Sequence, residues 1–579
     1  MILIILLILA STALPAEAYN LSPKVTVDIN PNSELFSVVY YLAFGRSDPF
    51  IINRESYLDE VDSYFGAYKD HRAVKMLRER LGYVESIPER DMMIFNIEAA
   101  LLMCSEPPEL KPLVPITDRW FLDFLNALRD FAEKTDFMNF YNSHQSYYQD
   151  DLKIYINALK LLPPDKFMGR VCFEFLHPYL VAIHGHSFNP KINGTQIYGA
   201  GGIPPLVRRV PQRTDWSYRT AKDTMFGLPL NRDYIRNRKL DELNYLGFIY
   251  HELGHDITTR QLWESRDILL NLTYLESTIE NDMPYLARYD MHFWSNVGMI
   301  YEGFADGWED FALSHVNPTY ANLSMCMQRA WGEFWIEETL DMYEKYTNIS
   351  LKEGKPLSDY VPEMLKELRK QIPPEKAEEL YEKRVPVTPL RALDKAAVTG
   401  KIIVIYGTQN PDPKGVEYDE KTANIVEDYL RTFYSQWPEN VDVEVKTDIN
   451  VSDDELKENL ILIGGPVANK VVAEMQSHFP LRFVKHGNIW VLERSEHWNW
   501  KVTSFILQEN DILEGWNASY PNASLIMAIR NPLNPENYII WIAGADRYET
   551  RLYKNPTYYL SSYEIFTGKE IEEGFYVQS

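Results

Sequence analysis

Residues 251–255 read His251-Glu252-Leu253-Gly254-His255. On a helix, two histidines four apart lie one above the other on a single face, about one turn apart. That spacing lets both imidazoles reach one Zn2+ ion. It also leaves Glu252 beside the metal, where a carboxylate can take a proton from zinc-bound water. The chemistry this points to is hydrolysis, with Glu252 as general base. A catalytic zinc usually has three protein ligands, and the third is sought in Tyr301-Glu302-Gly303-Phe304-Ala305-Asp306. Glu302 and Asp306 are four apart on an expected helix and share a face. Glu302 can complete a set of His251, His255 and Glu302 around one zinc per chain, while Asp306 accepts the free ring N–H of a zinc-bound histidine. Glu309, Glu276 and Glu280 are rival third ligands in the same stretch. A tetrahedral oxyanion needs a donor, and Tyr250, Tyr198, His184 and His186 are the candidates.

These side chains need rigid elements to hold them. A helix is expected from about Leu240 to Thr258, its buried face formed by Leu243, Leu246, Phe248, Ile249 and Leu253. A second is expected from about Phe293 to Ser314. Upstream, residues 30–160 read as helical, for example 57–81 and 119–134, with Pro107-Pro108 and Pro163-Pro164 as breaks. Short strands are expected at 173–176, 179–183 and 195–198, near Gly-Gly and Pro-Pro turns. A charged region at 357–383 is broken by Pro373-Pro374, and 384–400 reads as a linker. Beyond it, strands at 401–407, 441–446 and 460–463 alternate with helices at 421–437 and from Ser452, the pattern of a small α/β domain with a largely parallel core.

Composition narrows the setting. A chain of 579 residues is too long for one core, so two or three domains are expected. Its 45% hydrophobic content is that of a globular protein. A formal charge of −25 argues against nucleic acid as a partner. One basic cluster stands out, Arg208, Arg209 and Arg213 followed by Arg232, Arg236, Arg238 and Lys239, read as a solvated loop and helix start or as an anion-recognising rim. The opening MILIILLILASTALPAEA has an apolar run and an A-x-A site at Ala16-Glu17-Ala18, which reads as a secretory signal peptide cleaved after Ala18. The run is short of the ~20 residues that span a bilayer. The secreted or cell-surface expectation fits three cysteines, Cys104, Cys172 and Cys326, and N-x-S/T sequons at Asn20, Asn193, Asn271, Asn322, Asn348, Asn450, Asn517 and Asn522.

The HExxH helix followed by the Glu302-x-x-x-Asp306 helix resembles the thermolysin-like, or gluzincin, zinc peptidases. The resemblance implies His251, His255 and Glu302 as zinc ligands, Glu252 as the residue that activates water, and Asp306 as support for a histidine. Tyr301 stands where thermolysin has asparagine, and the span from His255 to Glu302 is longer. Residues 33–353 are also similar to a prokaryotic group of exported peptidase-like proteins called domain of unknown function 4932, on segments such as Glu34-Leu35-Phe36-Ser37-Val38-Val39-Tyr40 and Tyr64-Phe65-Gly66-Ala67-Tyr68-Lys69. The fold implied is α+β: a mainly helical zincin-type metallopeptidase domain with a small sheet, then a smaller α/β domain. The expected division is a signal peptide at 1–18, the peptidase domain at 19–390 (helical to about 170, HExxH region 171–356) and the α/β domain at 396–579. The implied partner is a peptide or protein substrate. Aminopeptidases of the group carry an acidic residue in the glycine-rich stretch comparable to Tyr198–Leu206; its lack here favours internal cleavage. The glycine turns at 407 and 464–465 lack the signature of a phosphate loop and read as strand-to-helix turns. Residues 460–472 resemble stretches of archaeal surface-associated proteins, which makes cell-envelope contact the expectation for the C-terminal domain. The alternative to an enzyme is a non-catalytic surface-binding or structural protein with a retained zinc site.

Overall fold

A computed structural model describes residues 25–577 apart from 172–178, 184, 186–190, 193–194, 197–237, 285–296, 436–439, 496–500 and several shorter stretches. The signal-peptide expectation, Tyr198, His184, His186, Cys172, the expected strand at 173–176 and the arginines between 208 and 236 lie outside the described residues. The fold is mixed α+β, with helices dominating up to Thr399 and a large sheet after it.

Strand β1 (Val25–Ile29) pairs in parallel with β2 (Tyr179–Ile183), and β3 (Lys191–Ile192) forms a short hairpin with β4 (Thr195–Gln196). Helix α1 (Pro31–Phe44) follows β1 and is buried from Pro31 to Leu42. Asn30 caps it by accepting from Asn32 N–H. Helix α2 (Gln145–Leu161) then packs on the central α3 (Arg238–Glu264), which carries both histidines. Helix α3 runs six residues beyond the expected end and is buried on several faces, with Leu243, Leu246, Ile249, Tyr250, Leu253 and Ile257 all in the core.

Helix α4 (Thr273–Glu280) precedes α5 (Gly298–Ser314), which carries Glu302 and Asp306 and lies antiparallel to α3. Glycines set the spacing. A Cβ on Gly254 of α3 would stand 3.0 Å from Ala305 Cα, and one on Gly247 would stand 2.5 Å from Glu309 Oε1. The opposite side of α5 is equally tight. It is followed by α6 (Pro318–Ala330) and α7 (Ile336–Glu353). There a Cβ on Gly303 would meet Trp335 Nε1 at 2.6 Å, and one on Gly307 would meet Thr339 Cβ at 2.8 Å. Thus α5 is clamped between α3 and α7, with its own Trp308 and the neighbouring Trp335 fully buried.

The expected linker at 384–400 is instead a packed seam. It contains α8 (Pro389–Thr399), capped by Thr388, whose side chain accepts from Arg391 N–H. Arg391 is 1% exposed and donates to Asp282 at 2.6 Å, Glu382 at 3.1 Å and the Val385 carbonyl at 3.0 Å. Backbone bonds from Val387 to Tyr576 and from Leu390 to Tyr559 join the seam to the sheet region. Leu390, Leu393 and Ala396 supply the apolar face that sequence reading passed over.

In the sheet region β5 (Lys401–Tyr406), α9 (Pro413–Tyr434), β6 (Asp442–Thr447) and β7 (Leu460–Ile463) alternate as expected. The expected helix at Ser452 is only a 3-10 turn at Glu455–Lys457. Ser452 and Glu455 bond reciprocally, but the chain must enter β7 three residues later. After α10 (Lys470–Met475) come β8 (Leu481–His486), β9 (Ile489–Arg494), β10 (Val502–Gln508), β11 (Asp511–Glu514), β12 (Ser519–Pro521), β13 (Ser524–Asn531), β14 (Asn534–Gly544), α11 (Arg547–Thr550), β15 (Tyr563–Phe566) and β16 (Ile571–Tyr576). The nine-stranded sheet has the order β11-β10-β16-β15-β13-β14-β7-β5-β6, and β12-β9-β8 form a separate sheet. Only β14, β7, β5 and β6 run parallel; the rest of the sheet is antiparallel, which corrects the largely parallel expectation. Several of the later strands are joined by short turns, and short turns make antiparallel neighbours. Cys104 and Cys326 are buried.

Gly254→Ala should lower unfolding free energy by about 1–3 kcal/mol, the usual cost of overpacking. Gly66→Ala, which meets nothing within 4 Å, should not. Urea titration of both variants measures the difference; equal stabilities would contradict the tight α3–α5 contact.

Candidate metal centre

The α3–α5 contact brings three side chains to one point. His251 Nε2 lies 3.1 Å from His255 Nε2. Glu302 Oε2 lies 3.2 Å from the first and 3.1 Å from the second. The three atoms form a nearly equilateral triangle. His251 and His255 are one turn apart on α3, as their spacing requires, and Glu302 reaches them because α5 runs antiparallel one glycine-width away. His251 is half-buried and His255 buried; the Glu302 side chain is 22% exposed.

Asp306 accepts from His251 Nδ1 at 2.8 Å, on the side of the ring away from the triangle. That bond leaves Nε2 with its lone pair toward the centre whenever Nδ1 holds the proton. Glu309 Oε2 is 3.7 Å from the same Nδ1, so this rival third ligand sits behind the ring. Glu276 is engaged elsewhere, accepting from Ile300 N–H at 3.3 Å near the start of α5. Glu280 is exposed. Among the described residues, two groupings could hold a cation: His251, His255 and Glu302, or His251, Asp306 and Glu309. Glu252 is 8% exposed and on α3 between the two histidines. The Tyr250 hydroxyl donates to the Leu162 carbonyl at 3.1 Å, and the ring packs on Phe167, away from the triangle. A residue adjacent to His251 is rotated by about 100° around the helix, which accounts for this placement.

Charges are strongly coupled. Burial acts to depress His251, yet Asp306 and then Glu302 hold it well above the usual histidine range. Burial dominates at His255 and lowers it despite Glu302. Burial acts to raise Glu302, but the two imidazoles hold it down at about 2. An ionised carboxylate facing two ring nitrogens is the donor set a divalent cation takes.

One contact at the triangle was not anticipated. The Tyr301 ring stacks on His255, with centroids 4.5 Å apart and planes at 15°. Its hydroxyl is 3.0 Å from Thr259 Oγ1 on the next turn of α3. His255 Nδ1 is buried without a hydrogen-bond partner among the described residues. Aromatic packing therefore fixes this ring where a carboxylate fixes His251. The only sequence signal was the tyrosine directly before Glu302.

A model described as "S-layer like family, outer domain" matches residues 417–555, which run from α9 to just beyond α11. No curated protein and no solved structure matches the chain. No helix among the described residues is long and apolar enough to cross a membrane. Asn271, Asn348, Asn450, Asn517 and Asn522 are exposed, as sequons must be if used, and Asn322 is half-buried.

Burial pushes Glu276 up to about 8, against backbone donors that pull it down. The folded state then binds a proton that the unfolded state has released. The stability this adds is full below about pH 4.5 and is lost as pH rises through about 8. Glu276→Gln should flatten the unfolding free energy between pH 5 and 8; an unchanged slope would remove this group as the cause.

Proposed function

We propose that the chain is a cell-surface protein carrying a zinc-dependent peptidase centre of the gluzincin type at His251, His255 and Glu302. The observation that supports it is the triangle of donor atoms. Tetrahedral zinc with bonds of roughly 2.0–2.1 Å has ligand-to-ligand edges of about 3.3 Å; the three edges here are 3.1, 3.2 and 3.1 Å. The donor set of two imidazoles and one carboxylate is also that of peptidase zinc.

When bound, zinc supplies acidity to a water and polarises a carbonyl. The chain's own residues do the rest. Asp306 orients His251 by its bond to Nδ1, and Tyr301 holds His255 by its face. Glu252 takes the proton of the attacking water and passes it to the leaving amine. Tyr250, engaged with Leu162, is not assigned the oxyanion; Tyr198 and His184 remain proposals for that donor. Internal cleavage of a peptide or protein is the favoured outcome.

The second reading is a surface structural or binding protein in which the metal centre has no turnover. Its support is the S-layer-like match across 417–555, which fits cell-envelope contact. Here Glu252→Gln separates the readings. In the peptidase reading, the purified variant keeps about one zinc per chain by elemental analysis and loses cleavage of casein and peptide libraries by at least about a hundredfold. Wild type that holds zinc yet cleaves neither would move the account to the structural reading.

Asp306→Ala should weaken zinc binding about 10- to 100-fold in competition with a chelating dye. Tyr301→Leu should weaken it as well, while Tyr301→Phe, which keeps the stack, should not. Equal affinity in all three would remove both supporting roles.

A further inference from the structure

The C-terminal region contains a second place where polar groups converge, far along the chain from the triangle. Strands β7 and β14 are parallel neighbours, and ligands of open α/β sheets gather outside the carboxyl ends of such strands. At that edge β7 runs into Gly464-Gly465. Gly464 has a φ of +101°, a conformation that favours glycine. Its carbonyl accepts from the buried Trp541 Nε1 at 3.0 Å. In a trans peptide the following N–H points the opposite way, so Gly465 N–H is directed away from Trp541. It has no hydrogen-bond partner among the described residues.

Asp419 of α9 faces the same turn. Its residue is only 2% exposed, and its Oδ2 is 3.6 Å from where a Cβ on Gly464 would stand. The lack of a Cβ there leaves that side of the buried carboxylate clear of a side chain. No hydrogen bond or ion pair engages Asp419 among the described residues, although a buried carboxylate ordinarily has one. Burial pushes it up to about 6, against Arg547 and Arg551.

Those two arginines complete the setting. Arg547 donates to Asp412 at 3.0 Å through one terminal nitrogen. Arg551 is fixed by the Tyr418 carbonyl at 2.7 Å and Thr422 Oγ1 at 2.8 Å. Tyr548, on α11 between them, is 63% exposed and meets the Tyr418 ring edge-on at 5.2 Å. Asp412 and Asp419 lie against the two guanidinium groups, while Asp546 and Glu549 on α11 are engaged in capping its first turn. The turn thus offers donors and acceptors side by side. A neutral ligand whose groups both donate and accept, and which has an apolar face for an aromatic ring, would match it.

We propose that Asp419, Gly465, Arg547 and Tyr548 form a binding subsite for a neutral saccharide. Vicinal hydroxyls donate to Asp419 and accept from Gly465 N–H and Arg547, and the sugar's C–H face lies on Tyr548. The site falls inside the segment matching the S-layer-like model, and it does not depend on the peptidase reading.

The test titrates the full-length protein by calorimetry and saturation-transfer NMR with N-acetylglucosamine, methyl α-mannoside, methyl β-galactoside and sodium sulfate. At least one saccharide should bind wild type. Asp419→Ala and the shape-conserving Asp419→Asn should each weaken binding about tenfold, the effect of removing a hydrogen bond to a charged group. Tyr548→Ala should weaken it several-fold, and Glu302→Ala should leave it unchanged. Binding of sulfate alone, no saccharide binding by wild type, or undiminished binding by folded Asp419→Asn would overturn the proposal.

Discussion

The close antiparallel contact of α3 and α5 is the constraint on which the candidate centre depends. Gly254 sits directly against the Ala305 backbone, and Gly247 leaves room for Glu309. Only at that separation does Glu302 Oε2 reach both imidazoles at 3.1–3.2 Å. The helix cannot slide away, because Gly303 and Gly307 seat its other side against Trp335 and Thr339. Dense packing on both sides converts helix spacing into donor-atom spacing. His251 is then held by a hydrogen bond to Asp306 and His255 by the stacked ring of Tyr301, so each ring is held by different physics.

Local patterns carried much of this. The spacing of His251 and His255 placed both on one helix face, and Glu302 and Asp306 on another, because helical periodicity acts over four residues. That the two helices would meet at those residues needed long-range packing, which spacing alone does not encode. Tyr301 on His255 was invisible for the same reason. Tyr250 shows the converse: proximity in sequence suggested a role, but a neighbouring helix residue points elsewhere.

Beyond the centre, the seam around Arg391 and the later strands were the main surprises. Residues 384–400 carry charges, prolines and a glycine and so read as a linker, yet burial of Arg391 among Asp282, Glu382 and Val385 makes them structural. Asp282 follows α4, and Arg530 of β13 also reaches Glu382 at 2.7 Å, so helical and sheet regions share one ionic seam. Alternation of strand and helix correctly signalled β5, α9, β6 and β7, whereas the strands after Leu481 combine local hairpins with pairings between strands distant in sequence, such as β10 with β16, which no local pattern encodes.

Anomalous diffraction at the zinc edge, from crystals of the full-length protein grown with zinc, tests the central claim most directly. The account predicts one strong peak within bonding distance of His251 Nε2, His255 Nε2 and Glu302 Oε2 together. A peak on the Asp306–Glu309 side of His251, or none within reach of these three atoms, would contradict it.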